Sequence, residues 1–264
     1  MKEIPSDIGS KRARVVLQEC GLINDPTALS CEDIAYSRGV TDIKALNIDG
    51  SQGRIMIDGN EAIISYDNKI YNEGKRRFVI AHEIGHFELH RELLNNQVHN
   101  DDEKTLSEWY AKGPHEKQAN KFAAELLMPS HLYIEKVGGQ IFNLDLIKSV
   151  ADFFQTSITS TLIKYLSLGD FPIAIIFSNE GKVEWSSFSN DFLLQYVPKG
   201  MDVPENSVAM DFYDGHQLPN EPESIEALDW FLHDFNVKKH AEVGFYEQCI
   251  QLGDKAILSC IWND

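Results

Sequence analysis

His82 and His86, with Glu83 between them in the run His82-Glu83-Ile84-Gly85-His86, have the types and spacing to hold a metal ion and hydrolyse a bond beside it. A helix turns about 100° per residue, so side chains four apart stand one above the other on the same face. Two imidazoles in that register can ligate one cation, and Glu83 next to them is placed to take a proton from water. The bland alternative is a pair of ordinary core or surface histidines. The context favours chemistry, because Phe78, Val79, Ala81, Ile84 and Phe87 would bury the rest of the helix and make it a rigid support. Asn72 is a candidate cap, Glu73 suits the positive end of the helix dipole and Arg91 the other end.

Two histidines do not complete a catalytic zinc site, which takes a third protein ligand and keeps one position open. The stretch from His115 to Met128 is helical in composition, opens after Gly113-Pro114 and stops at Pro129. Its small residues Ala119, Ala123 and Ala124, facing Gly85, would let it come close to the first helix. It offers two acids, Glu116 and Glu125, which lie about 180° apart round the helix axis, so only one can face the metal. His90 extends the ladder of histidines, but about 12 Å along the axis from His82 it is too far to share one ion with both. It reads as packing or as a group supporting the ligands. His99, His115 and His131 read as surface histidines. Glu92 occupies the position where a metzincin would carry its third histidine.

Around these helices the chain reads as α+β. Helices are expected over 6–22, capped by Ser6 or Asp7, and over 33–38, ended by Gly39. A loose strand from Ile43 is followed by a hairpin, 54–57 and 61–66, round Asp58-Gly59-Asn60. In zinc peptidases an edge strand beside the metal can accept an extended substrate backbone, and Ala62, Ile63, Ile64, Ser65 and Tyr66 are proposed for that role. The polar connection from Asn95 to Pro114 is long enough to gate a cleft. Residues 143–168 read as two short helices with a break at 156–159, shaped like a helix-turn-helix. Lys148 and Lys164 are cancelled there by Asp145 and Asp152, which argues for a structural helical pair and against direct DNA binding. Past Gly169-Asp170-Phe171-Pro172 come two further hairpins, with Ile225 to Phe235 ambiguous between helix and strand. The expected division is therefore a metal-site domain over 1–142, the helical segment 143–168, and a small α/β domain over 169–264.

Composition narrows the classes. At 264 residues and 43% hydrophobic the chain can bury a sizeable core, and its formal net charge is −17. Residues 170–264 alone carry 17 acidic and 5 basic side chains, a balance that repels nucleic acid and anionic membranes and would attract a basic protein partner. No apolar run approaches the roughly 18 residues of a membrane span, and Met1 to Pro5 lack a signal-peptide core, so a cytoplasmic location is expected. Cys20, Cys31, Cys249 and Cys260 are widely spaced, with no C-x-x-C, and read as reduced packing thiols.

HEIGH preceded by RRFVIA, together with E-x-x-x-N-x-F-A-A-E-L-L-M-P from Glu116 to Pro129, resembles the ImmA/IrrE family of bacterial and phage zinc metallopeptidases. The resemblance implies a zincin-like N-terminal domain, with Glu116 as third zinc ligand beside His82 and His86, Glu83 as catalytic base and Asn120 in support. By the same match Glu125 caps or pairs. Zinc is the metal so implied, with manganese as the other candidate. The resemblance further implies a regulatory C-terminal domain, GAF-like in some members. The substrate it implies is a helix-turn-helix repressor or antitoxin, whose cutting releases stress-response, prophage or mobile-element genes. The competing expectation is a regulator that keeps the fold but works by binding a repressor partner without cutting it.

Overall fold

The computed structural model describes residues 4–95 and 113–263. The chain divides into two compact units, one of residues 1–137 with 145–161 and the other of 138–144 with 162–264.

In the first unit α1 (Ile8–Glu19) starts at Asp7, whose carboxylate accepts from Ser10 N at 2.9 Å. Helix α2 (Cys31–Arg38) starts in a capping box, Ser30 with Asp33, and ends at Gly39, where φ of 102° suits a residue without a Cβ. Three strands follow, β1 (Asp42–Leu46), β2 (Gly53–Asp58) and β3 (Glu61–Asp67). The hairpin is as expected: Asp58 pairs with Glu61 across Gly59-Asn60, and Gly59 takes a positive φ of 58°. The order across the sheet is β1-β3-β2, with β1 parallel and β2 antiparallel to β3.

The long helix α3 (Glu73–Asn95) lies against β2 and β3 on one side and α4 (Pro114–Leu127) on another. Asn72 caps it, its Oδ1 accepting from Lys75 N at 2.8 Å. Val79, Ile80, Ala81, Ile84 and Phe87 are buried along it, which is why a helix carrying three histidines is still a core element. Its start is tied to α6 (Leu144–Phe154): the buried Arg77 guanidinium donates to the carbonyls of Phe154 and Gln155 at 3.1 and 2.9 Å, satisfying groups left over at that helix end. Its far side is tied to α1 and α2 through Glu88, which takes Arg12 and Arg38 at 2.6 Å each. Close approach of α3 and α4 depends on Gly85, since a Cβ there would stand 3.2 Å from Ala119 Cα and 3.1 Å from the Phe122 ring. Helix α4 ends at Met128, and Glu125 opens α5 (Ser130–Val137), its carboxylate accepting from Ser130 N and Oγ and pairing with Arg14 at 3.0 Å.

Helix α7 (Ile158–Leu168) follows α6 after a three-residue break. In the second unit β4 (Ile173–Asn179), β5 (Lys182–Phe188), β6 (Glu223–Glu226), β7 (Gly244–Gln251) and β8 (Ala256–Asn263) form an antiparallel sheet in the order β5-β4-β8-β7-β6. Phe192, Trp230, Phe231 and Phe245 build its core, joined by α8 (Val208–Tyr213) and α9 (Ala227–Phe231). The ambiguous stretch is both things in turn: β6 runs to Glu226, and a capping box of Glu226 with Asp229 starts α9. All four cysteines are free thiols, two of them buried. Among the described residues no helix is long and apolar enough to cross a membrane. The expected gate from Asn95 to Pro114 lies almost wholly outside the described residues, as does His99.

Candidate metal centre

His82 and His86 face α4 one above the other, and Glu116 stands in the first turn of α4 opposite them. Nε2 of His82 is 3.0 Å from Nε2 of His86, and the two Glu116 oxygens reach those nitrogens at 3.1 Å each. Ligands held about 2.0 to 2.1 Å from a tetrahedral zinc lie about 3.3 Å from one another, so this donor set fits such an ion. Among the described residues these three form the group of histidine, cysteine and acid side chains able to share a metal. Glu125, the rival acid, is 1% exposed and occupied by Arg14 and Ser130.

The two histidines are oriented from behind. His82 Nδ1 lies 3.0 Å from Asn120 Oδ1, one turn beyond Glu116 on α4. An amide oxygen only accepts, so Nδ1 carries the proton and the Nε2 lone pair points at the site. Behind His86 stands His90, with its Nδ1 3.1 Å from His86 Nδ1. His115, expected at the surface, is half-buried instead, its ring packed 4.6 Å from that of His90. Its place in the first turn of α4 brings it there, a long-range contact that residue type alone could not announce.

Charge is unevenly shared. Partial burial raises the Glu116 carboxyl, but the hydrogen bonds and charges of His82 and His86 overcome it and hold the group far below the usual carboxylate range. Burial works to lower both histidines. At His82 the bond to Glu116 and the charges of Glu83 and Glu116 outweigh it and the pKa rises, whereas at His86 burial prevails and the pKa falls. Burial likewise keeps His90 below its ordinary value. Glu83 is 5% exposed and desolvation pushes its carboxyl up to about 7, the range in which a carboxylate can both take and return a proton near neutral pH.

His82, Glu83, His86, Glu116 and Asn120 all line one cleft of about 510 Å³, together with Gly53, Arg54 and Ile55 of β2. The strand expected to receive substrate needs correction. Ala62, Ile63, Ile64, Ser65 and Tyr66 belong to β3, the central strand, whose two edges are already taken by β1 and β2. Of the two edge strands, β1 and β2, the one whose residues line the cleft is β2. Gly53 at its start was not singled out in the sequence, although a glycine opening an apolar strand signals close backbone approach. A Cβ there would stand 2.5 Å from Val79 Cγ1 and 2.9 Å from Glu83 Oε1.

A helix-borne histidine pair, an acid from the next helix and a small mixed sheet define a zincin-like α+β domain. Residues 48–164 match the family model described as Peptidase_M78, IrrE N-terminal-like domain, in agreement with the ImmA/IrrE resemblance. No curated protein matches the chain. Among solved structures a Mycobacterium tuberculosis transcriptional regulator is similar, with a TM-score of 0.57 and 13% identity over 98% of this chain and 77% of that one. At that identity the likeness concerns the fold alone.

Proposed function

We propose that this protein is a zinc-dependent endopeptidase that cuts a helix-turn-helix repressor or antitoxin and thereby releases the genes it silences. The observation carrying the reading is the convergence of His82, His86 and Glu116 within 3.1 Å, beside the buried carboxyl of Glu83. His82, His86 and Glu116 would hold the ion, with manganese as an alternative to zinc. A zinc ion there supplies Lewis acidity, acidifying water and polarising a carbonyl.

The remaining work belongs to the chain. Glu83, buried beside the three ligands, would take the proton from the attacking water and return it to the leaving nitrogen. Asn120 keeps the His82 lone pair aimed inward. Among the described residues no strand pairs with the outer edge of β2, which runs along the cleft, so an extended peptide can add to the sheet there as a further strand with its scissile bond near Glu83. The acidic stretch 170–264 suits docking of a basic partner such as a DNA-binding repressor and is unsuited to DNA. The family match and the structural neighbour, itself a transcriptional regulator, support a substrate within gene regulation.

The second reading is a non-cutting regulator that binds a repressor through its C-terminal domain, favoured by the acidic balance of residues 170–264. One experiment separates them. Incubating the purified protein and zinc with helix-turn-helix repressors from the same genome should yield a discrete cut in one of them, and Glu83→Gln should abolish the cut while zinc content is unchanged. Full biological function from Glu83→Gln would establish the binding reading instead.

A further inference from the structure

Helix α4 does more than bring Glu116. Residues 116, 118 and 120 each reach a different part of the centre: Glu116 the two Nε2 atoms, Asn120 the back of His82, and Gln118 the ring of His90, whose Nε2 lies 2.9 Å from Gln118 Oε1. His90 is 3% exposed and stacks one turn beyond His86, 3.1 Å between the two Nδ1 atoms.

The proton positions along this line follow from donor and acceptor chemistry. Gln118 Oε1 can only accept, so Nε2 of His90 carries a proton. In a neutral ring the lone pair of His90 is then on Nδ1, which must accept, and His86 Nδ1–H donates to it. That leaves the lone pair of His86 on Nε2, the atom 3.0 Å from His82 Nε2 and 3.1 Å from Glu116.

We propose that Gln118 and His90 form a positioning relay that locks His86 in the tautomer and ring orientation able to ligate a metal. One helix thereby sets all three ligands, directly for Glu116, through one side chain for His82 and through two for His86. The inference rests on the reading of His82, His86 and Glu116 as a metal centre. A carboxylate or amide behind a ligating histidine is a known device for fixing it, and its loss weakens metal binding about 10- to 100-fold.

The test is zinc affinity of the full chain, measured by competition with a chromogenic chelator, together with long-range nitrogen–proton spectra of the metal-free protein. His90→Phe keeps the ring but offers no acceptor, and Gln118→Met removes the group that orients His90; both should lose zinc affinity by about 10- to 100-fold. His90→Asn, which returns an acceptor near the Nδ1 position, and Gln118→Glu, which keeps the acceptor, should restore it. In the spectra His86 should be protonated at Nδ1 in the wild type and should populate both tautomers in Gln118→Met. Gln118 is only half-buried, so that variant carries the test if His90→Phe does not fold. Unchanged affinity in both weakened variants, or a wild-type His86 protonated at Nε2, overturns the relay. A wild-type protein that takes up no zinc sinks the metal-centre reading along with it, whereas tight wild-type binding with unaltered variants sinks the relay alone.

Discussion

Replacing Gly53 by alanine tests how closely β2 must approach Glu83. The added methyl would stand 2.5 Å from Val79 Cγ1 and 2.9 Å from Glu83 Oε1, against about 3.5 to 4.0 Å for relaxed contacts. The overlap with Val79 is therefore about 1 Å or more, and neither neighbour can swing into solvent, since Val79 is 6% and Glu83 5% exposed. Gly53 has no left-handed φ, so the cost is steric and not conformational. Overpacking of this kind costs about 1 to 3 kcal/mol. For a unit of this size that lowers Tm by roughly 2 to 4 °C per kcal/mol. Displacing Glu83 by about 1 Å should also slow cleavage on the order of 100-fold. Zinc affinity should hold, because Gly53 touches none of the three ligands. Differential scanning calorimetry, a cleavage assay and metal titration read the three quantities separately. Adding Val79→Ala removes the 2.5 Å clash but not the 2.9 Å one, so the double variant should regain stability and stay slow. Wild-type Tm and wild-type cleavage in Gly53→Ala would refute the reasoning.

Two further outcomes follow from the same structure. Removing zinc with a chelator should destabilise the first unit, by about 2.7 kcal/mol relative to protein at a free zinc concentration about 100 times Kd; an unmoved first-unit transition in the calorimeter would count against a resident ion. In the second unit Glu247 is fully buried, accepting from Val208 N at 2.8 Å, and desolvation pushes its carboxyl above the ordinary value of 4.5. The folded state then keeps a proton that the unfolded chain releases, so the stability of this unit should fall as pH rises from about 4.5 through the raised folded pKa and level off above it. Glu247→Gln should flatten that slope, followed by denaturant unfolding with the buried Trp230 as fluorescent reporter; the same slope in both proteins would contradict it.

What was legible in the sequence was local. The i, i+4 histidines, the Asn72 cap, the Gly39 end of α2 and the Gly59-Asn60 turn all follow from residues within one or two turns of each other, and the structure has each of them. The acid proposed as third ligand was narrower ground. Helical geometry left Glu116 and Glu125 open, and the family resemblance chose between them; the structure places Glu116 at the histidines and spends Glu125 on Arg14 and Ser130. Strand order was beyond reach, because β1 skips β2 to pair with β3 and so turns the expected edge strand into the central one. The half-burial of His115 and the link from His90 to Gln118 are likewise products of α3 meeting α4, residues far apart in the chain. The stretch 225–235 stayed ambiguous because each of its two elements is too short to show a period of its own.

Zinc X-ray absorption and anomalous diffraction from zinc-loaded crystals test the central claim most directly. The account predicts one ion about 2.0 to 2.2 Å from Nε2 of His82, Nε2 of His86 and a carboxylate oxygen of Glu116, with Glu83 outside the ligand sphere. An ion bound elsewhere, or one that takes Glu83 in place of Glu116, would contradict it.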